Sequence, residues 1–541
     1  MTPEETELRA AVERILKSPS QRKLVVAGPG TGKTRVFKEL LKVSSGGRDD
    51  HLVLTFINTL CNDLEEQLQD LAQVSTLHGY CLGLLHNTPE LLGGLSARFK
   101  CVPGLATLIK ADWEYLNGPV APPFVGLMRA LGDETQIAPY LERGNYYDAV
   151  DFDDIVYRAH SGLSDHADAI PTFQLVLIDE YQDFNTLEAG FIEVLARHSP
   201  ILIAGDDDQA LYENLRNSST KHIRQLYRGG VYEVFELPFC MRCPKVIVDA
   251  VNDVIKRAEE LRKLNGRIRK PYKHFPLVKG DDSKRYPTIA VVATSVQSSR
   301  ANYLGKYIDR AIAAIPSDEI AEAVKEGFPP VLVIVAKPYR AQIIAYLTKQ
   351  GFLVDTRRDA TVSLKRDTGL HLLAEDHASN VGWRIVLASE PQLFVSGIIA
   401  ATEDGTPIVN ALPTDYRQRI LDEVAALATA PEPEAPPAEE VPMERVPVRV
   451  TSFEGAKGLS AQHVFIAGLH AHEIPRNAAD PHDLEICKFV VGLTRTRKKC
   501  SLLYTKRFAN KPRQPSVFLT WIDGSRLERT TVDARYWKKS L

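Results

Sequence analysis

Residues 24–41 read Leu24-Val25-Val26-Ala27-Gly28-Pro29-Gly30-Thr31-Gly32-Lys33-Thr34-Arg35-Val36-Phe37-Lys38-Glu39-Leu40-Leu41. The apolar opening reads as a strand buried on both faces, the mark of a parallel sheet flanked by helices. Glycines at 28, 30 and 32 free the backbone amides to face an anion. The pattern from Arg35 to Leu41 is helical, so the loop meets a helix N-terminus, where amides and dipole favour phosphate. At this spacing Lys33 reaches the β- and γ-phosphates and Thr34 holds Mg²⁺. A chance glycine loop would not join strand, loop, Lys-Thr and helix in that order. Ala27, Gly28, Pro29, Gly30, Thr31, Gly32, Lys33, Thr34 and Arg35 are therefore the expected nucleotide-binding segment, and the class is α/β.

A second stretch completes the site: Leu175-Val176-Leu177-Ile178-Asp179-Glu180-Tyr181-Gln182-Asp183. A buried strand delivering two adjacent carboxylates suits a Mg²⁺ ligand, Asp179, beside a water-activating base, Glu180. A solvated acidic turn would not normally follow four buried aliphatics. Together the two stretches make nucleoside triphosphate hydrolysis the leading chemistry, with ATP and Mg²⁺ as cofactors.

Outward from these stretches, apolar runs bounded by polar or glycine punctuation recur at 52–56, 201–204, 289–293, 331–336 and 463–467. Helical patterns lie between them, as at 60–71, where Leu60, Leu64, Leu68 and Leu71 recur at helical spacing. The alternation breaks into mainly helical patterns at 85–159 and 355–446. The second ends in 430–447, a Pro/Glu/Ala segment that cannot bury a core and reads as an extended linker. No repeat of fixed period is present. At roughly 150 residues per domain, 541 residues predict three or four domains. The division expected is a first core at 1–84 and 160–238 with an insertion at 85–159, and a second core at 239–354 and 447–541 with an insertion at 355–446.

Composition excludes little beyond a minimal binding module. Hydrophobic residues make up 44% and charged residues 25%, and the net charge of −3 names no partner. Charge is nevertheless uneven. Residues 488–541 hold 14 Lys/Arg against 3 Asp/Glu, and residues 256–285 hold 11 against 4. Both segments belong to the second core, either as tracks for a phosphodiester backbone or as solvated basic faces. Seven cysteines, odd and sparse, argue for a reducing compartment, hence a cytoplasmic location. Cys240, Cys243, Cys487 and Cys500 read as buried thiols in preference to a metal site. His470-x-His472-Glu473 reads as a solvated loop. No apolar run is long enough to span a membrane.

The remaining motifs resemble the superfamily 1 helicases of the UvrD/Rep/PcrA type. Leu54-Thr55-Phe56-Ile57-Asn58 and Ser75-Thr76-Leu77-His78 are similar to family segments that contact single strands, and Val150-Asp151-Phe152-Asp153-Asp154 is also family-like. Gly205-Asp206-Asp207-Asp208-Gln209-Ala210-Leu211-Tyr212 resembles the motif that senses the γ-phosphate and couples it to DNA. Ser452-Phe453-Glu454-Gly455-Ala456-Lys457-Gly458-Leu459 and Val491-Gly492-Leu493-Thr494-Arg495-Thr496-Arg497 resemble the fifth and sixth motifs, and Pro515-Ser516-Val517-Phe518-Leu519 the closing signature. The resemblance runs from the glycine loop nearly to the chain end and is weakest in the insertions. It implies two RecA-like P-loop domains with parallel sheets, each carrying a mainly helical insertion. It implies Glu180, Gln209, Arg242 and Arg495 as catalytic residues, the two arginines as fingers, and Gly458 against the nucleotide. Phe56, Asn58, Thr76, His78 and Tyr212 are the implied DNA contacts, with movement 3′ to 5′ along single-stranded or tailed DNA. Phe56, Tyr80 and Tyr212 are equally compatible with core positions.

The pattern is also departed from. No glutamine stands upstream of the glycine loop at the family's spacing, and Met241 replaces the aromatic before Arg242. Asn214 stands where relatives carry tryptophan, Glu454 where they carry histidine, and Ser460 where they carry an acid. The second insertion is small for the family. These departures favour a rival: a DNA-stimulated ATPase sensor or accessory subunit, working beside a nuclease or repair factor with little unwinding of its own. A small-molecule kinase would not need the Phe56/Asn58 and Thr76/His78 segments. No membrane and no small-molecule substrate besides nucleotide are expected.

Overall fold

The computed structural model describes residues 1–56, 58–298, 301–356, 364–429 and 446–538. Six strands form a first, wholly parallel sheet: β1 (Arg22–Ala27), β2 (His51–Thr55), β3 (Gln73–Thr76), β4 (Leu175–Ile178), β5 (Ile201–Gly205) and β6 (Glu233–Leu237), in the order β3-β2-β4-β5-β1-β6. Seven more form a second parallel sheet: β7 (Ile289–Thr294), β8 (Val331–Val335), β9 (Val354–Asp355), β10 (Val448–Thr451), β11 (Ala461–Ala467), β12 (Thr496–Thr505) and, past a hairpin of β13 (Arg507–Phe508) and β14 (Lys511–Pro512), β15 (Leu527–Val532). Its order is β9-β10-β8-β11-β12-β7-β15.

Every apolar run in the sequence lies in one of these strands. Apart from the half-buried Ala290 and Ala336, the runs are buried in interior strands, and each fully buried Val, Leu or Ile contributes about 1.5–3 kcal/mol. The strands without an apolar run include sheet edges. β3 is half-buried along its whole length, and β6 and β15 carry exposed positions, so their sequences mix polar with apolar residues and the run disappears. The helix expected at 60–71 spans Asn58–Leu68.

In the first sheet β4, β5 and β1 are neighbours. Their C-terminal ends therefore deliver Asp179-Glu180, Asp206–Gln209 and the glycine loop side by side, at the edge where parallel sheets bind ligands.

The second insertion packs away from the core that sequence order attaches it to. Helices Arg366–Glu375, Asn380–Leu387, Gln392–Ala400 and Thr414–Thr429 share one buried apolar cluster with helix Leu105–Asn117 of the first insertion and with first-core strands. A buried ionic cluster joins the insertions. Asp112 accepts from Arg384 Nε at 2.7 Å and Arg143 Nε at 3.0 Å, and also from the Tyr147 hydroxyl. Arg143 further donates to Thr402, and the Tyr146 hydroxyl to the Thr406 carbonyl. The linker expected at 430–447 lies, except for its last two residues, outside the described residues.

Two loop expectations are settled here. All seven cysteines are free, with Cys240, Cys243, Cys487 and Cys500 buried. His470 is not solvated. It is fully buried, stacks on Tyr339 at 4.8 Å and accepts the Thr505 N–H at 2.8 Å, and burial pushes its pKa down to about 4. The loop after β11 folds back over the sheet edge and carries His470 inward. His472 remains exposed.

Candidate active site

A cleft of about 270 Å³ lies between the two sheets. From the first core it is lined by Pro29, Gly30, Thr31, Gly32, Lys33, Thr34, Asp179, Glu180 and Gln209, and from beyond β6 by Met241, Arg242, Gly458, Arg495 and Arg497. Gly30 and Gly32 have φ of 72° and 91°, conformations that favour glycine. A Cβ on Gly28 would meet the Tyr272 ring at 2.5 Å, and one on Gly32 the Met241 methyl at 2.5 Å. Thr31 ties the loop by donating to the Gly28 carbonyl at 2.8 Å.

Three residues of the predicted segment stand apart from the cleft wall. Ala27 is buried at the end of β1, its carbonyl accepting from Lys33 Nζ at 3.4 Å. Gly28 packs under Tyr272. Arg35 turns outward to Glu39 at 2.8 Å and borders a neighbouring hollow of about 510 Å³ with Met241, Leu8, Val12 and Phe275.

The carboxylates are set against cations from the other core. Glu180 holds φ 54°, a left-handed conformation that costs a non-glycine residue about 1 kcal/mol and turns its carboxylate at the strand end. Lys457, 1% exposed, reaches across the cleft to Asp183, donates to the Gln209 carbonyl at 2.8 Å and lies 3.7 Å from Glu180. Burial works against the Glu180 charge, but Lys457 and Lys33 outweigh it and hold the group below the ordinary carboxylate range. Asp179 goes the other way: burial, then the Glu180 charge, raises it. Two neighbouring carboxyls pushed apart in this way fit a ligand beside a base.

Arg495 is buried and bound by four acceptors, among them Gln209 Oε1 at 2.8 Å and the carbonyls of Val491 and Leu459 at 3.0 and 3.2 Å. Arg242 donates to the Thr494 carbonyl at 3.3 Å. Burial and the Arg242 charge pull Arg495 down to about 9, still cationic at neutral pH. Such repulsion between guanidiniums falls when a polyanion enters between them.

Gln209 in turn donates to Asp206 at 2.8 Å. Asp206, Asp207 and Asp208 are each within 2.9 Å of Lys270, and Arg267 and Arg224 pair with Asp208 and Asp207. This trio has metal-like spacing, but its charge is already met by these cations. The same geometry corrects the reading of residues 256–285 as a phosphodiester track. Lys263, Arg267, Lys270, Lys273, Lys279 and Arg285 are all engaged in ion pairs, several with the first core.

Four of the expected strand-contact residues gather at the C-terminal ends of β2 and β3. Phe56 is buried, with ring centroids 5.2 Å from Tyr212 and 6.0 Å from Phe184, and Arg216 covers its face at 4.5 Å. Thr76 caps helix Leu77–Asn87 by accepting the Gly79 N–H at 3.1 Å. Burial and Arg216 push His78 down to about 3, so its neutral ring accepts from Arg216 at 2.9 Å. The Tyr212 hydroxyl donates to the Glu454 carbonyl of the second core at 3.2 Å. The Asn58 side chain lies outside the described residues. Of the departures, Glu454 pairs with Lys488 at 2.6 Å and Ser460 accepts from Arg497 at 3.0 Å.

Sequence reading missed four residues that shape this site: Tyr272, Lys270, Arg216 and, in role, Lys457. Lys457 and Asp183 were legible as members of quoted motifs. The other three carry no local signal, since tertiary contact alone brings them to the glycine loop, the Asp trio and Phe56.

Residues 9–214 match a family model described as an AAA domain. The chain is similar to the ATP-dependent DNA helicase UvrD1 of Mycobacterium leprae, 27% identical over 318 residues covering 46% of this chain and 40% of that protein. It is similar to the ATP-dependent DNA helicase PcrA of Staphylococcus aureus, 25% identical over 281 residues covering 44% and 38%. UvrD1 of Mycobacterium bovis is 25% identical over 291 residues covering 43% and 37%. The chain thus spans about two fifths of the length of these relatives. Motif order, two parallel sheets facing one cleft and these matches together make the chain similar to the UvrD/Rep/PcrA-like superfamily 1 helicases.

Proposed function

We propose that the chain is an ATP-dependent single-stranded-DNA translocase and 3′–5′ DNA helicase, hydrolysing ATP with Mg²⁺ between two RecA-like domains. One observation carries the reading: cations and carboxylates from both sheets converge on a single cleft at the mouth of the glycine loop. The loop amides and Lys33 bind the phosphates. Thr34 and Asp179 supply hard oxygen donors, and the buried, raised Asp179 carboxyl suits a divalent cation completed by water and phosphate oxygens. When bound, Mg²⁺ neutralises charge on the β- and γ-phosphates. Glu180, held anionic by Lys457, takes the proton from the attacking water. Arg495 and Arg242 deliver positive charge from outside the loop, and Gln209 links Arg495 to Asp206 at the end of β5.

Single-stranded DNA crosses the sheet edges, over Thr76, His78 and Tyr212 on the first core. On the second it enters a cleft of about 690 Å³ lined by Lys337, Arg340, Ser452, Glu454 and Lys488. Tyr212, bonded to Glu454, spans the two halves. The domain division proposed is that given above.

The rival accessory role is favoured by one observation, the second insertion packed on the first through buried Asp112. Measuring ATPase rate with and without single-stranded DNA, with Lys33→Ala and Glu180→Gln as controls, tests the motor. Absence of stimulation in the wild type sinks it. Strand displacement on 3′- and 5′-tailed duplexes then separates helicase from accessory ATPase.

A further inference from the structure

Residues 238–244 read Pro238-Phe239-Cys240-Met241-Arg242-Cys243-Pro244, so Arg242 stands inside a Cys-x-x-Cys spacing just before helix Lys245–Glu260. The turn folds the two cysteines together: the Cys243 N–H donates to Cys240 Sγ at 3.4 Å. Cys243 Sγ donates to the Thr494 carbonyl at 3.6 Å, the same oxygen that accepts from Arg242. The Met241 N–H donates to the Gly30 carbonyl at 2.8 Å, which lays the segment across the glycine loop. A Cβ on Gly30 would meet Arg242 Cβ at 2.6 Å and Cys240 Sγ at 3.3 Å. The dithiol therefore lies just behind the cleft wall, with Arg242 in the span that it would close.

Cys240 differs from every other thiol of the chain. Burial pushes Cys61, Cys81, Cys101, Cys243, Cys487 and Cys500 up, which keeps them protonated and slow to react. Burial also works against a charge on Cys240, but hydrogen bonds to Cys243, to the Tyr272 hydroxyl and to the backbone N–H groups of Cys243 and Arg242 outweigh it and bring the thiol down to about 6. A thiolate is the nucleophile in oxidation, and a thiol beside it resolves the product. Cys240 supplies the first and Cys243 the second.

We propose that Cys240 and Cys243 form a peroxide-sensitive dithiol whose disulfide withdraws Arg242 from the nucleotide cleft. Its effect on rate rests on the ATPase reading given above, whereas the sulfur chemistry does not. Both sulfurs are buried, and peroxide reaches Cys240 when the glycine loop and this segment part along the cleft. The Cys240 thiolate attacks one oxygen of hydrogen peroxide, the O–O bond breaks, and Cys240 becomes a sulfenic acid while hydroxide leaves and takes up a proton. The Cys243 sulfur then attacks the sulfenic sulfur, its own proton leaving with the hydroxyl as water. Two thiols and one peroxide give one disulfide and two waters, the two sulfurs losing the two electrons that the peroxide gains. A dithiol reductant reverses the change by exchange. Bonded sulfurs sit closer than hydrogen-bonded ones, so Cys243 is drawn off the Thr494 carbonyl, the anchor that it shares with Arg242.

The test treats the full chain with graded hydrogen peroxide, blocks the remaining thiols by alkylation and digests with trypsin. Cleavage after Arg242 separates residues 229–242 from residues 243–245, and a disulfide between Cys240 and Cys243 keeps the two peptides joined in the mass spectrum. ATPase with single-stranded DNA is read on the same samples, before and after dithiothreitol, as the ratio of treated to untreated rate for wild type and C240S. The wild type gives the joined pair and a rate lowered at least about tenfold, since an arginine finger supplies about 10³-fold or more, and dithiothreitol restores it. C240S gives no pair and keeps its untreated rate. If C240S is unfolded by circular dichroism, C240A replaces it. An untreated, reduced wild type without ATPase refutes the hydrolysis reading itself, and the joined pair then still decides the dithiol. Absence of the pair under peroxide overturns the proposal. So does a pair that leaves an active wild type at full rate, or an equal loss of rate in C240S.

Discussion

Replacing Lys457 with methionine removes a buried charge from the cleft while keeping the length of its stem. Its Nζ lies 3.7 Å from Glu180 Oε2. At an effective dielectric of about 20 that separation corresponds to about 4 kcal/mol of attraction for the charged carboxylate. Lys457 is also the chief group holding Glu180 below the ordinary carboxylate range against its own burial. The sign follows: without Lys457 the Glu180 pKa rises, and the group becomes protonated, and useless as a base, at higher pH than in the wild type. Steady-state ATPase with saturating single-stranded DNA, measured from pH 6 to 8.5, reads this out. The variant-to-wild-type rate ratio at pH 6 falls at least tenfold below the ratio at pH 8.5. Asp183 complicates the variant, since burial and the Glu180 charge already raise it to about 6 with Lys457 in contact. Left unpaired, it takes up a proton. The double variant K457M/D183N removes that charge, so it recovers any lost folding while keeping the altered pH dependence. A K457M profile with the wild-type shape, merely scaled down, refutes the electrostatic role.

Other outcomes follow from the same geometry. Arg495→Ala removes a guanidinium bound to Gln209 and facing the cleft. It lowers kcat about 10³-fold or more with a nucleotide Kd changed less than tenfold, read by single-turnover hydrolysis and a fluorescent ATP analogue. Asp112→Asn leaves Arg384 and Arg143 buried without their carboxylate. Loss of one partner from such a cluster costs about 3–5 kcal/mol, so hydrogen exchange in helix Asn380–Leu387 speeds by at least a hundredfold. Exchange rates equal to wild type there would show that the apolar contact alone holds the insertions together.

Legibility followed locality. The glycine loop, Asp179, Glu180 and the interior strands were readable because each is a short run whose residue types must agree with a backbone conformation or with burial on both faces. The edge strands β3, β6 and β15 were not, because incomplete burial at a sheet edge erases the apolar run. His470 looked like part of a polar loop until its stacking on Tyr339 placed it inside. The basic count at 256–285 looked like a free surface, yet Lys270 touches three aspartates of the first core. Composition records charge but not what faces it.

By itself the sequence determined the α/β class, the phosphate loop and the order of motifs, because these depend on contacts between residues close in the chain. The tertiary structure alone decided the partners. It brought Lys457 to Asp183 across 274 positions, set Arg216 over Phe56 and carried the second insertion onto the first. Among the described residues it also left Lys506, Arg507 and Lys511 outside any ion pair. Each of these depends on which surfaces meet when two cores close on one cleft, and residues far apart in the chain carry no mutual signal in one sequence.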